Sequence, residues 1–164
     1  MGLGDRVDDW QACCVMQAGA AASVAAGLFI IDFYSSTASV SGRFTFKGVG
    51  AGVGGNASGT ALPANIGPFG PWSSLDCDKS FSIWDLNGGW GRISTLGVGV
   101  GVQFGVAYIT AAPRWSWSHA YFHSQNIGGF GTGLGAGGMA LIGSWSFKHV
   151  TNNEPSGGDD SYAA

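Results

Sequence analysis

The chain has 164 residues, of which 30 are glycine, 13% are aromatic and only 10% are charged. This length fits one packed domain, the five prolines without a Gly-x-y period exclude collagen, and the aromatic content excludes a disordered chain. The net charge is −3 and the seven Lys and Arg residues are scattered singly, so no basic stripe is present and nucleic acid is excluded as a partner.

Residues 1–27 are predicted to be a helical segment. Asp5 stands at an N-cap position, and Asp8 and Asp9 fall in the first turn, where carboxylates interact favourably with the helix dipole. The residues at the three-and-four spacing of a buried helix face are Trp10, Cys13, Cys14, Gln17, Ala18 and Ala21. We therefore expect a short helix that packs on a sheet or closes one end of a barrel.

The apolar stretch AGAAASVAAGLFIIDF, residues 18–33, is not predicted to be a signal peptide, because the acidic DRVDDW precedes it. It is not predicted to span a membrane as a helix either, because its uninterrupted apolar run of about 14 residues falls short of the ~20 required. We expect a protein that is secreted or delivered by a secretion system without a visible signal, with a cytoplasmic location as the open alternative.

Residues 28–150 are predicted to form strands. LFIIDFY at 28–34 is bulky and β-branched, and Val40, Phe44 and Phe46 alternate with polar residues over 39–47. Further strands are predicted at 80–86, at 90–110 as one long strand or two, at 114–123 and at 130–150, with a loop over 56–74 and a hairpin turn at 87–89. The polar residues 151–164 are predicted to be a flexible tail.

Three segments place apolar residues on one strand face and glycine on the other: FKGVGAGVGG at 46, LGVGVGVQFG at 96 and FGTGLGAGGMALIG at 130. In the first of them we expect glycine to replace the polar face. Glycine inside a strand costs about 0.5 to 1 kcal/mol relative to Ala, so close approach of strands and aromatic rings to the bare backbone must compensate. This pattern predicts an all-β fold, a small glycine-rich antiparallel β-barrel of about eight strands.

FKGVGAGV at 46–53 and GFGTGLGAGG…GSW at 129–145 resemble the virulence-associated (Vap) proteins of Rhodococcus. The resemblance implies an eight-stranded antiparallel barrel with a short helix and two Greek-key halves. It also implies a non-enzymatic effector, secreted by a bacterium, that acts on or near host membranes. The chain departs from that plan in its Cys-containing N-terminal segment and in the lack of a visible export signal.

The candidate surface-binding residues are Trp115, Trp117, Tyr121, Phe122, His119 and His123. Exposed aromatic rings stack on sugars or enter a membrane interface, although Trp115 and Trp117 can instead cover the glycine face of a neighbouring strand. The two histidines of HAYFH have a spacing at which imidazoles can share a metal, but no carboxylate stands nearby in sequence, and ordinary surface histidines are expected. No catalytic residue, metal site or cofactor is predicted.

The other candidate groups are two acids and three cysteines. Asp76 and Asp78 can bind calcium with loop carbonyls, but without the EF-hand spacing a solvated turn is favoured. Cys77 can pair with Cys13 or Cys14, or all three can be buried thiols.

The leading functional hypothesis is a non-enzymatic bacterial secreted or effector-type binding protein. Its apolar, weakly charged surface would meet a membrane or a protein partner. The alternatives are a structural subunit of a larger assembly, including a homo-oligomer, and a lectin-like carbohydrate-binding module that uses surface Trp residues.

Overall fold

The computed structural model describes residues 4–21, 23–53, 58–61, 72–98, 104–114, 116–127 and 137–151. The helices in this part of the chain are two short 3-10 helices, Ile83–Leu86 and Trp117–His119. The fold is therefore all-β, as the sequence predicted. The strands are β1 (Trp10–Ala21), β2 (Val24–Ser35), β3 (Val40–Val53), β4 (Ser58–Ala61), β5 (Ser73–Ser74), β6 (Trp90–Val98), β7 (Phe104–Ala112), β8 (Phe122–Gln125) and β9 (Gly137–Thr151).

The nine strands form one antiparallel sheet that curls into a half-barrel, in the order β4-β1-β2-β3-β9-β6-β7-β8, with β5 also paired to β1. In each half, three strands follow one another and a fourth lies beside the first: β4 beside β1, and β9 beside β6. Strand β9 joins the halves, because it pairs with β3 along one edge and with β6 along the other.

The core lies on the concave side of this sheet and consists mainly of aromatic rings. The fully buried rings are Trp10, Phe29, Phe33, Phe44, Phe46, Phe81, Phe122 and Trp145. Phe33 is central, with ring centroids 5.8 Å from Phe44, 6.0 Å from Phe122 and 5.6 Å from Trp145. Rings from both halves therefore meet in one hydrophobic core.

The segment that follows β5 connects β1 with the β8 end of the sheet. The Leu75 N–H donates to the Trp10 carbonyl on the β1 side, at 2.8 Å. On the β8 side, the His123 N–H donates to the Asp76 carbonyl at 3.2 Å and the Asp78 N–H donates to the Tyr121 carbonyl at 2.9 Å. We call residues 73–79 the seam, because they bring β1 and β8 together at one end of the sheet.

The carboxylate of Asp9 fixes the turn between β2 and β3. It accepts hydrogen bonds from Ser35 Oγ at 2.5 Å, Ser36 Oγ at 2.9 Å and the Thr37 N–H at 2.9 Å. Partial burial alone would raise the pKa of Asp9, but these hydrogen bonds favour the charged form and lower the pKa to about 2 from its ordinary 3.8. The N-terminal segment is thereby attached to the sheet through this turn.

The predicted N-terminal helix is wrong, because residues 10–21 form β1 and pair along their length with β2. The predicted interaction of Asp9 with a helix dipole is also wrong, since Asp9 caps a turn between strands instead. The register of β1 shifts between Cys14 and Met16, where Val15 is the extra residue of a β-bulge. Residues 10–21 and 24–27 are therefore part of the sheet rather than of a separate helical segment.

Two other predicted strands are also corrected. Residues 80–86 hold the first 3-10 helix, so the turn at 87–89, where Gly88 has φ +76, joins that helix to β6 rather than two strands. Residues 114–123 hold the second 3-10 helix and only the start of β8. The predicted loop over 56–74 contains β4 and β5.

The alternation predicted for β3 is confirmed: Val40, Phe44 and Phe46 are buried, whereas Lys47 is exposed. The predicted face for glycine is wrong. Gly48 continues the inward face of Phe46, and the next outward residue, Val49, is 67% exposed. Glycine therefore replaces apolar side chains on the core side, and apolar side chains replace polar ones on the outside.

Candidate binding face

Trp117 is exposed and lies beside two side chains of β6. Its ring centroid is 6.4 Å from that of Trp90, with an angle of 53° between the planes. The guanidinium of Arg92 lies 5.6 Å from the Trp117 centroid, a cation–π distance. The other predicted surface tryptophan, Trp115, lies outside the described residues.

The two aromatic residues that follow in the sequence belong to the core side. Phe122 is 0% exposed and packs on Phe33 and Phe81, so its prediction as a surface-binding residue is wrong. Tyr121 is half-buried with its ring centroid 5.3 Å from that of Phe81. The alternating pattern of residues 114–123 does not indicate the point at which the chain turns toward the core and enters β8.

The structure separates the two candidate histidines into different environments. Nδ1 of His119, in the second 3-10 helix, lies 2.7 Å from Ser116 Oγ. His123, in β8, has Nδ1 2.9 Å from the Tyr108 hydroxyl and Nε2 3.6 Å from the Asp78 carboxylate. In the part of the chain that is described, no three His, Cys, Asp or Glu side chains are grouped to hold a metal ion. Asp78, a residue of the seam, therefore lies beside a histidine of β8.

No disulfide bond joins Cys13, Cys14 or Cys77. Burial, and to a lesser extent the neighbouring Asp32 carboxylate, raises the pKa of Cys13 to about 12. Burial also raises the pKa of the half-buried Cys77, to about 11. Such thiols are protonated at neutral pH and are poor nucleophiles.

Glycines occupy directly paired positions on five neighbouring strands: Gly19 of β1, Gly27 of β2, Gly48 of β3, Gly143 of β9 and Gly91 of β6. We call this line the glycine row. A Cβ on Gly48 would lie 2.7 Å from Phe46 Cε1, and a Cβ on Gly91 would collide with Trp145 Nε1. Core side chains thus rest directly on the bare backbone, and ordinary side chains would hold the sheet farther out.

A groove runs over the glycine row on the outward side of the sheet. Gly27, Gly48 and Gly143 form its floor. Two rows of outward side chains form its walls: Ala26, Val49 and Ile142 on one side, and Leu28, Lys47 and Ser144 on the other. Trp90 and Arg114 line the groove where it reaches β6. We call the outward surface of β2, β3, β9 and β6 the binding face.

The lining of the groove is mainly apolar and carries two cationic side chains, Lys47 and Arg114. Asn87, Ser144 and Ser146 add neutral polar groups, and none of the described lining residues is a carboxylate. The outward carboxylate of β2, Asp32, lies farther along the strand and is held by Arg43 through two hydrogen bonds of 2.6 and 2.7 Å. The groove therefore presents positive charge beside aliphatic surface.

Among the described residues, four of the seven exposed large hydrophobic side chains belong to this binding face, and a fifth, Trp117, contacts it through Trp90. The four are Val24, Val49, Trp90 and Ile142. The remaining two, Trp84 and Phe147, contact each other outside the groove, with ring centroids 5.3 Å apart. Sequence reasoning missed the face, because its members lie far apart in the chain and only the strand register brings them together.

No protein-family model, curated protein or solved structure matches this chain. The described residues contain no helix of the length and apolar character that would cross a membrane. The resemblance to the Vap proteins stays a prediction.

Proposed function

We propose that this protein is a non-enzymatic bacterial binding protein, secreted or delivered as an effector, that acts at a membrane surface. The binding face carries the proposal, because it combines exposed aliphatic and Trp side chains with Lys47, Arg92 and Arg114. Trp rings favour the boundary between headgroups and acyl chains. Each Lys or Arg near an anionic leaflet adds about 1 kcal/mol of attraction.

We further propose that the half-barrel belongs to a closed Greek-key barrel of about eight strands. In each half, the fourth strand lies beside the first, which is the order of a Greek key. The hydrogen bonds of the seam to Trp10 and Tyr121 support closure, because they bring the outermost parts of the sheet together. Such closure leaves few free strand edges on a weakly charged protein.

Vesicle co-sedimentation tests the membrane function. We expect the protein to pellet with vesicles of phosphatidylcholine and phosphatidylserine, and less with phosphatidylcholine alone. Lys47→Glu should weaken the first interaction by about fivefold or more, since ~1 kcal/mol per charge corresponds to that factor. Lys79→Glu, a change of the same charge on the seam, is the matched control and should have little effect.

The aromatic contribution is tested with two tryptophans of similar exposure, Trp90 at 40% and Trp84 at 42%. Trp90→Ala should reduce sedimentation, whereas Trp84→Ala should not. Absence of the protein from every vesicle pellet would refute the proposal. If such a protein also formed oligomers that grow with concentration in size-exclusion chromatography, the structural-subunit alternative would be favoured.

A second candidate function is a lectin-like module, and the Trp90–Trp117 pair favours it. The two rings are neighbours and both are more than a third exposed, so a sugar ring can stack on the exposed surface of either one. A glycan array would reveal this activity. Glycan binding that is lost in Trp117→Ala, without vesicle binding, would replace the membrane function.

A further inference from the structure

We propose that the groove over the glycine row binds one alkyl chain of an anionic amphiphile, a ligand of the fatty-acid class. This inference deepens the proposed function and rests on it, because both use the binding face. It is more specific, however, since a flat membrane surface does not require a groove.

The dimensions of the groove fit a single chain. From β2 to β6 it crosses three strand spacings, or about 14 Å. Its walls are outward residues two apart on each strand, such as Ala26 and Leu28, so they are about 6.7 Å apart at the backbone. A groove this narrow has room for no more than one extended hydrocarbon chain lying along it, and a folded helix is too wide to enter.

The floor of the groove favours an alkyl chain over a peptide. Gly27, Gly48 and Gly143 lie inside the sheet, paired on both sides with neighbouring strands. A peptide along this floor would lose water from its own N–H and C=O groups without gaining partners, at a cost for each group. A hydrocarbon chain has no polar groups to satisfy.

The polarity of the lining sets the direction of the ligand. Ala26 and Leu28 make the β2 end apolar, while Arg114 and Trp90 stand at the β6 end, with Lys47 between them. The acyl chain therefore lies toward β2, and the anionic head lies beside Arg114 within reach of Lys47. None of the described residues that line the groove is a carboxylate that would repel the head.

Isothermal titration calorimetry with laurate, kept below its micelle concentration, tests the inference. We expect one laurate bound per protein. The shorter caprylate should bind at least about tenfold more weakly, since each fully buried methylene is worth about fourfold. Uncharged lauryl alcohol should bind more weakly than laurate, and Lys47→Glu should remove that preference.

Ala26→Phe fills the apolar end of the groove and should abolish the binding of laurate. Ala51→Phe is the matched control, because Ala51 is an exposed outward alanine on β3 that does not line the groove. It should bind laurate like the unmodified protein. Unchanged thermal midpoints in both variants would show that folding is intact.

The possible failures separate the two proposals. Vesicle sedimentation without laurate binding, or laurate binding unchanged in Ala26→Phe, would overturn the groove inference and leave the membrane function standing. Laurate binding without sedimentation would overturn the membrane function alone. Binding of a peptide of alternating Leu and Glu in place of laurate would overturn the alkyl-chain assignment.

Discussion

Gly91→Ala is the most direct test of the glycine row. The added methyl group would collide with Trp145 Nε1 and would lie 2.9 Å from Phe46 Cε2. Both rings are 0% exposed, and close packing leaves buried rings little room to move. The substitution therefore places an extra carbon against two buried rings of the core.

The magnitude follows from two opposing effects. Overpacking of a core costs about 1 to 3 kcal/mol, while replacing a strand glycine by Ala returns about 0.5 to 1 kcal/mol of chain entropy. We expect a net loss of about 1 to 2 kcal/mol in the free energy of unfolding. For a protein of this size, that loss lowers the thermal midpoint by about 2 to 8 °C.

Chemical denaturation of four proteins measures this effect: wild type, Gly91→Ala, Trp145→Phe and the double variant. Trp145→Phe removes the ring nitrogen at the collision, which is also a buried N–H without a hydrogen-bond partner among the described residues. The free energy of unfolding of the double variant should therefore be at least about 1 kcal/mol higher than the value expected if the effects of the two single substitutions added. Gly4→Ala is the control, because a Cβ there meets nothing within 4 Å. Gly91→Ala as stable as wild type, or strict additivity, would show that the ring does not rest on this glycine.

Two further predictions concern titratable groups. Because the folded state lowers the pKa of Asp9 to about 2, the contribution of this carboxylate to the free energy of unfolding is present above the unfolded pKa of 3.8 and is lost as the pH falls toward 2. Asp9→Ala should therefore lower the free energy of unfolding by about 1 kcal/mol at pH 7, after allowance for solvent screening. Urea titrations should show that this difference vanishes near pH 2. Ellman's reagent at pH 8 should label the native protein slowly, with Cys77 ahead of the buried Cys13 and Cys14, and rapid labelling of Cys13 without denaturant would contradict the packing of β1.

The strands with regular alternation could be predicted from the sequence, and β1 could not, for a definable reason. Trp10 and Cys14 face the core before the bulge at Val15. After it, Gln17 and Ala21 pair with the buried residues Phe29 and Ala25. Because the bulge inserts one residue, the steps from Trp10 to Cys14, Gln17 and Ala21 are four, three and four positions. These are the spacings of residues on one face of a helix.

The side of the sheet on which the glycines of β3 lie could not be predicted from the sequence either. Alternation shows that Gly48 and Val49 face opposite ways, but not which of them faces the core. The large rings of Phe46 and Trp145 decide this, because they fill the volume above the glycines of their own and neighbouring strands. The candidate groove depends in turn on glycines aligned across strands that are distant in the chain, and only the register reveals that alignment.

The central position of β9 has a consequence for synthesis. This strand is the last of the nine to leave the ribosome, yet it lies between β3 and β6. Until residues 137–151 emerge, one edge of β3 and one edge of β6 have no partner, and the strand that joins the two groups of earlier strands is missing. Nascent chains stalled before residue 137 are therefore expected to expose Phe46 and Ile93 and to need protection from aggregation, whereas the emergence of the 15 residues of β9 completes the sheet.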